Sequence, residues 1–185
     1  MKVKFIMIAA ILTVALTSCK KENETKQPGQ ENVEAATKQN FSVELDVVAE
    51  KDDNFALYFT EDGTIAFSLD NVAWSEVKAG SGSQKVVFNL SEEVVPTHIR
   101  LDFSLKKPEE RGDITLQKVK IDFYGKSFEF KGSDFFKYFI EKAETKTEVN
   151  PADGTIKFVK DPTAKTTPFY YPTQNLIDEI AKITK

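Results

Sequence analysis

The sequence predicts an all-β protein, an antiparallel β-sandwich with one short internal helix and a C-terminal helix. Three observations predict this fold class. Apolar and polar residues alternate with a period of two in several short segments, as in half-buried strands. Turn signals separate these segments at nearly regular spacing, and only two stretches have helical periodicity. Helical crossovers, which a parallel sheet would need, are not indicated.

Residues 1–18 have the order of a secretory signal peptide. Lys2 and Lys4 precede an apolar core that is too short to span a bilayer as a mature helix. The next residues, Leu16-Thr17-Ser18-Cys19, resemble the lipobox of bacterial lipoproteins. This resemblance implies cleavage before Cys19, lipidation of Cys19 and a membrane as partner. The alternative is an ordinary signal peptide with an incidental cysteine.

Residues 19–40 are predicted to be the lipidated cysteine and a disordered tether. Val33 is the only apolar residue larger than alanine between Lys20 and Asn40, so this segment cannot bury enough surface to offset its ordering entropy. The run from Lys20 to Glu24 resembles the signal that sends Bacteroidota lipoproteins to the outside of the outer membrane, although a plain spacer explains it as well. We expect an outer-membrane, lipid-anchored protein on either the surface or the periplasmic face.

The composition limits the function classes. Without Lys2 and Lys4 the chain has 23 basic and 29 acidic residues, which argues against nucleic acid as a partner. Cys19 is the only cysteine, so no disulfide is expected. The remaining residues, 41–185, are long enough for one domain with a substantial core.

Six segments of the domain are predicted to be strands, beginning at Phe41, and alternation is clear in those that begin at Phe41, His98 and Val119. The six segments are Phe41 to Val47, Phe55 to Thr60, Ile65 to Phe67, Val86 to Leu90, His98 to Phe103 and Val119 to Phe123. Asp62-Gly63 predicts a hairpin between the second and third of these. Asp70 to Ser83, which contains the only tryptophan, is predicted to be a long connection.

The second half combines short strands with the two helices. Gly125-Lys126 suits a type II′ turn that returns into Phe128 to Phe130. Ser133 is predicted to begin the internal helix, with Phe135, Phe136, Phe139 and Ile140 on one face. The remaining predictions are a short strand at Ile114 to Leu116, an edge strand at Thr155 to Val159, an extended stretch at Pro168 to Pro172 and a helix at Thr173 to Ile183.

Several of these segments resemble a β-sandwich module of Bacteroidota cell-envelope proteins, similar to galactose-binding-like jelly rolls and carbohydrate-binding modules. The segments are Phe55 to Thr60, Gln84 to Leu90, Ile99 to Asp102, Asp161-Pro162 and Pro168-Phe169. The resemblance implies binding of a glycan. The paired exposed tryptophans of such modules are missing, so no sugar-binding residue is carried over.

Two groups of residues are candidates for ligand contact. His98, Arg100 and Asp102 alternate with apolar residues and form a polar strand face, which we expect Lys118, Lys120, Asp122 and Tyr124 to extend. The alternative is a solvated sheet face with weak ion pairs. Trp74, Phe169, Tyr170 and Tyr171 lie outside the predicted alternating strands, and such aromatic residues either stack on sugar rings or close the core.

Catalytic residues and metal ligands are not predicted. His98 is the only histidine, so a Ser-His triad and a His-rich zinc site have little support. Acidic loops at Glu50 to Asn54 and Glu61 to Gly63 leave a structural calcium possible. We expect a non-catalytic protein that binds glycan or serves envelope assembly. A carbohydrate-active enzyme with paired carboxylates and a structural subunit of a membrane complex are the alternatives.

Overall fold

The computed structural model describes residues 40–142, 147–163 and 167–185. The predicted signal peptide, Cys19 and nearly all of the tether therefore lie outside the described residues. Within them, two antiparallel sheets face each other across one hydrophobic core, and two short helices accompany them. The prediction of an all-β sandwich is confirmed.

Sheet A contains six strands in the order β4-β1-β6-β10-β9, and β7 pairs with the part of β6 that β10 leaves uncovered. The bounds are β1 Ser42–Ala49, β4 Gly80–Asn89, β6 Ile114–Phe123, β7 Lys126–Lys131, β9 Thr147–Asn150 and β10 Thr155–Phe158. Sheet A therefore combines strands from both halves of the chain.

Sheet B contains five strands in the order β3-β2-β5-β11-β8. The bounds are β2 Asp53–Thr60, β3 Val72–Val77, β5 His98–Phe103, β8 Phe139–Glu141 and β11 Phe169–Pro172. The helices are α1 Phe135–Tyr138 and α2 Gln174–Ile183, and a 3-10 turn lies at Pro108–Glu110. Strand β5 is the central strand of sheet B.

The inward positions of both sheets form the core. Ile99, Leu101 and Phe103 of β5 are fully buried, as their alternation predicted. Leu176 and Ile180 of α2 pack into the same core, so the C-terminal helix closes it and its prediction is confirmed. The predicted extended stretch at Pro168 to Pro172 is also confirmed, since most of it forms β11.

The region around Trp74 differs from its prediction. Ile65 to Phe67 is not a strand, and β2 pairs instead with β3, which contains Trp74. Gly80 to Ser83 belongs to β4 because Gly80 pairs with Ala49 of β1. The prediction of a long connection at Asp70 to Ser83 was wrong, since pairing with neighbouring strands overrides the low strand propensity of Gly and Ser.

Two local predictions were also wrong. The β6–β7 hairpin turns at Tyr124 and Gly125, both with positive φ, which is a type I′ turn rather than type II′. The internal helix is only the four residues of α1, and Phe139 and Ile140 instead belong to β8, where they pair with β11.

Candidate functional site

The two outer faces of the sandwich differ in chemistry. The outer face of sheet A has ion pairs, of which Lys85 with Glu44 and Lys118 with Asp46 at 3.7 Å join neighbouring strands, and Lys120 with Asp122 at 2.8 Å lies along β6. Lys85 and Lys118 are more than a third exposed, and such surface pairs contribute little stability. This face is a solvated, charged sheet side.

The predicted extension of the His98, Arg100 and Asp102 face was wrong. Lys118, Lys120 and Asp122 belong to β6 of sheet A, whereas Arg100 belongs to β5 of sheet B. Their side chains therefore lie on opposite outer faces of the sandwich. Strands that resemble each other in alternation need not share a sheet.

The outer face of sheet B is aromatic. The strand register places Val72, Tyr58 and Arg100 side by side on β3, β2 and β5. Tyr171 and Ile140 continue the row on β11 and β8. Four aromatic rings surround Arg100, and a fifth, that of Trp74, packs against one of them. We call these five residues the aromatic belt: Tyr58, Phe67, Trp74, Phe169 and Tyr171.

Arg100 lies at the centre of the aromatic belt. Its guanidinium carbon is 4.1 Å from the centroid of the Tyr58 ring and 5.2 to 5.7 Å from the centroids of three other belt rings. All four distances are within the range of cation–π attraction. Because these rings come from β2, β11 and the β2–β3 loop, Arg100 links three separate parts of the chain.

Asp102 fixes the orientation of Arg100. Arg100 donates from Nε to Oδ1 of Asp102 at 2.7 Å and from Nη2 to Oδ2 at 2.8 Å, a bidentate pair. Asp102 is only 3% exposed. Burial raises the pKa of Asp102, and the hydrogen bonds and charge of Arg100 oppose that rise. The pair therefore places a polar, charge-compensated centre within an aromatic surface.

Trp74 and Tyr58 form one end of the belt. Their rings meet edge to face with centroids 6.2 Å apart, and Trp74 is 48% exposed. Tyr58 is almost buried, and burial is the main cause that raises the pKa of its hydroxyl. Trp74 thus has both a fixed neighbour and a large accessible surface, although it lies on a strand and not in the predicted loop.

Phe67 brings the β2–β3 loop onto the other part of the belt. Its ring lies 5.5 Å from the ring of Tyr171 and 5.5 Å from the guanidinium carbon of Arg100. On either side of it, Ile65 is 51% exposed and Leu69 is 75% exposed. The loop therefore presents aliphatic side chains next to the aromatic belt.

The structure brings four of the six predicted ligand residues together. Arg100, Asp102, Trp74 and Tyr171 lie on the outer face of sheet B. His98 lies at the end of the same strand, where its Nδ1 contacts Thr97 Oγ1 at 3.1 Å and burial lowers its pKa.

Tyr170 must be removed from the predicted ligand surface. It is fully buried in the core, where its ring packs against Phe103 and Phe135. Its hydroxyl lies 2.7 Å from Thr147 Oγ1, and burial raises its pKa strongly. Alternation along β11 explains this, because Phe169 and Tyr171 face outward and the residue between them faces inward.

Sequence reasoning missed Tyr58 and Phe67 as members of the site. Tyr58 lies between Leu57 and Phe59, which are both in the core, so the period of two along β2 places Tyr58 on the outer face. Phe67 was assigned to a strand that does not form. Its place on the belt depends on the path of the β2–β3 loop, for which we find no sequence signal.

The two acidic loops proposed for calcium bond to backbone groups and hydroxyls. Asp62 Oδ1 accepts from the Thr64 backbone at 3.0 Å, and Asp53 accepts from Ser104 Oγ at 2.5 Å. Glu61 accepts from the backbone of Val95 at 2.8 Å. Among the described residues, no cluster of three or more His, Cys, Asp or Glu side chains could hold a metal ion.

An open cleft of about 570 Å³ lies elsewhere, at one end of sheet A. It is lined by Glu50, Asp113 and Lys157, among others. The backbone N–H of Asp113 donates to Glu50 Oε2 at 3.2 Å, and Asp113 Oδ1 accepts from the backbone of Phe158 at 3.2 Å. Both carboxylates thus hold neighbouring backbone in place.

Comparisons with protein-family models, with curated proteins and with solved structures found no match. The resemblance to Bacteroidota carbohydrate-binding modules therefore stays a prediction. In the described part of the chain, the helices are too short or too polar to cross a membrane.

Proposed function

We propose that this chain is a lipid-anchored outer-membrane protein whose non-catalytic β-sandwich binds a glycan through the aromatic belt. The observation that carries the proposal is the row of aromatic side chains across sheet B, with the Arg100–Asp102 pair at its centre. Aromatic rings offer apolar faces on which sugar rings stack, and a few fixed polar groups can set their orientation.

The contrast between the two outer faces supports this choice of surface. The outer face of sheet A is covered by ion pairs, while the outer face of sheet B exposes Trp74 and surrounds its central Arg100–Asp102 pair with aromatic rings. From β3 to β11 the belt crosses four strands, which is about 14 Å at the usual strand spacing. A short oligosaccharide suits a shallow surface of this width.

A protein partner is the second candidate, because aliphatic residues flank the belt. Ile65, Leu69 and Ile140 are each more than half exposed, and sugar stacking does not require them. Protein interfaces combine such residues with Trp, Tyr and Arg. This candidate corresponds to the envelope-assembly role.

A glycan array tests the primary proposal. The full chain in detergent micelles should bind at least one class of glycan, and Trp74→Ala should reduce that binding by at least about tenfold, as loss of a stacking contact predicts. The matched control is Tyr124→Asn, which removes another half-exposed aromatic ring at a positive φ that asparagine tolerates. This control should bind like the wild type.

Two results would count against glycan binding. The first is an array on which the folded wild type binds nothing. The second is a glycan whose binding falls equally in Trp74→Ala and Tyr124→Asn. Leu69→Ser separates the two candidates, since it should leave glycan binding unchanged but weaken a protein interface on this face.

A further inference from the structure

A further inference follows from the ion pair of Arg100 and Asp102 at the centre of the belt, and it rests on the proposed glycan binding. We propose that Asp102 determines the glycan class, so that the belt binds neutral glycans in preference to those that carry carboxylates. The proposal concerns the charge that a bound sugar meets at Arg100.

Arg100 would otherwise be a suitable receptor for an anionic sugar. A guanidinium forms bidentate hydrogen bonds with a carboxylate, and one surrounded by aromatic rings is well placed to meet a stacked uronic acid. Four belt rings lie within 5.7 Å of its carbon, so a sugar on any of them comes close to this charge.

Asp102 already makes the bidentate hydrogen bonds to Arg100 that the carboxylate of a uronic acid would make. Both of its oxygens accept from Arg100, at 2.7 and 2.8 Å, and the carboxylate is buried beneath the face. A uronate would have to compete with a carboxylate that the fold holds in place, and it would meet the negative charge of Asp102 as well. A neutral sugar loses less hydration and meets no such repulsion.

Lys142 is a second cation near the belt and must be separated from this effect. Its Nζ lies 4.6 Å from the centroid of the Tyr171 ring, at the β8 side of the face. The chain as a whole is acidic, with a formal net charge of -4, which does not favour anionic ligands. Lys142→Gln therefore serves as a background in which the central pair can be tested alone.

The experiment compares neutral and uronate oligosaccharides of equal length, cellohexaose and mannohexaose against hexagalacturonate and hexamannuronate. Binding to the full chain in detergent micelles is followed by the fluorescence of Trp74, the only tryptophan. The wild type should prefer the neutral probes. Asp102→Asn should tighten uronate binding by about fivefold or more, the effect of one unit charge at about 4 Å even in a water-like dielectric. That gain should persist with Lys142→Gln and shrink at high salt.

The double variant Arg100→Gln with Asp102→Asn is the matched control, because it restores a neutral centre. It should not gain uronate affinity. Urea midpoints from far-UV circular dichroism establish whether each variant is folded. If Asp102→Asn does not fold, the comparison of neutral and uronate binding by the wild type tests the proposal by itself.

Each outcome bears on one of the two proposals. Binding of no glycan on the wider array contradicts the proposed function. Wild-type binding of uronates as tightly as of neutral probes overturns the role of Asp102 but leaves glycan binding intact. An equal gain in the single and double variants overturns it in the same way, because the charge of Arg100 would then be irrelevant.

Discussion

Replacement of Arg100 by methionine should strongly destabilise the domain, even though Arg100 lies on an outer face. The reason is Asp102, which is 3% exposed and loses the donors of two hydrogen bonds of 2.7 and 2.8 Å. Leaving one partner of a buried ion pair uncompensated costs about 3 to 5 kcal/mol. Loss of the cation–π contact with Tyr58 adds up to about 1 kcal/mol. The sum is a large share of the roughly 5 to 15 kcal/mol that stabilises one domain.

The double variant Arg100→Met with Asp102→Leu isolates the cause. Removing both charges leaves an apolar surface that fits the surrounding rings, and such replacements of buried ion pairs are often neutral or stabilising. We therefore expect the double variant to lie within about 1 kcal/mol of the wild type. The free energies of unfolding of the single and double variants should therefore differ by most of the cost of leaving Asp102 uncompensated.

The penalty of Arg100→Met should also depend on pH. Burial already raises the pKa of Asp102, and removal of the guanidinium raises it further. A group whose folded pKa exceeds its unfolded pKa of about 3.9 contributes stability at low pH and loses it as the pH rises through the folded pKa. The variant should therefore lose less stability relative to wild type at pH 4 than at pH 7.

Urea unfolding at both pH values, followed by Trp74 fluorescence, measures these differences. Equal losses in the single and double variants at pH 7 would refute the argument from an uncompensated carboxylate. A penalty for Arg100→Met that is the same at pH 4 and pH 7 would refute it as well.

Three further predictions concern the anchor, the core and the histidine. Cys19→Ala should release the chain from the membrane pellet in fractionation, because about 0.8 kcal/mol per buried methylene of the acyl chains is lost; retention after correct maturation would contradict lipidation. Leu101→Ala should lower the free energy of unfolding by about 2 to 5 kcal/mol in urea titrations, because Leu101 is buried in the core. The control Ile140→Ala, at an exposed position, should change it by less than about 0.5 kcal/mol. Equal changes in the two variants would contradict the assignment of inward and outward strand faces. The imidazole of His98 should titrate by NMR below the ordinary pKa of about 6.5, so stability is lost as the pH falls through its folded pKa, and His98→Gln should reduce that loss.

The sequence predicted the fold class and the buried faces because alternation is a local signal. Ile99, Leu101 and Phe103 are buried as their period indicated. The internal helix failed for a related reason, since Phe139 and Ile140 fit helical spacing with Phe135 and Phe136 but pair with β11 as a short strand. Short apolar segments do not distinguish the helical period of about 3.6 residues from the strand period of two.

The candidate site could be predicted only in part. Arg100 and Asp102 were recognised as outward positions of one strand, and Tyr171 was recognised as an aromatic residue outside the alternating segments. Their meeting with Tyr58 depends on the order β2-β5-β11, which brings together residues more than a hundred positions apart. No local pattern records this order, and a resemblance without a sharp motif could not supply it.

The most direct test of the belt as the binding surface is amide chemical-shift mapping during titration with a glycan that binds on the array. We expect the largest shifts on the outer face of sheet B, at Tyr58, Trp74, Arg100 and Tyr171, and little change at Lys118 on the opposite face. Shifts concentrated on the outer face of sheet A, or around the cleft near Glu50, would contradict the account.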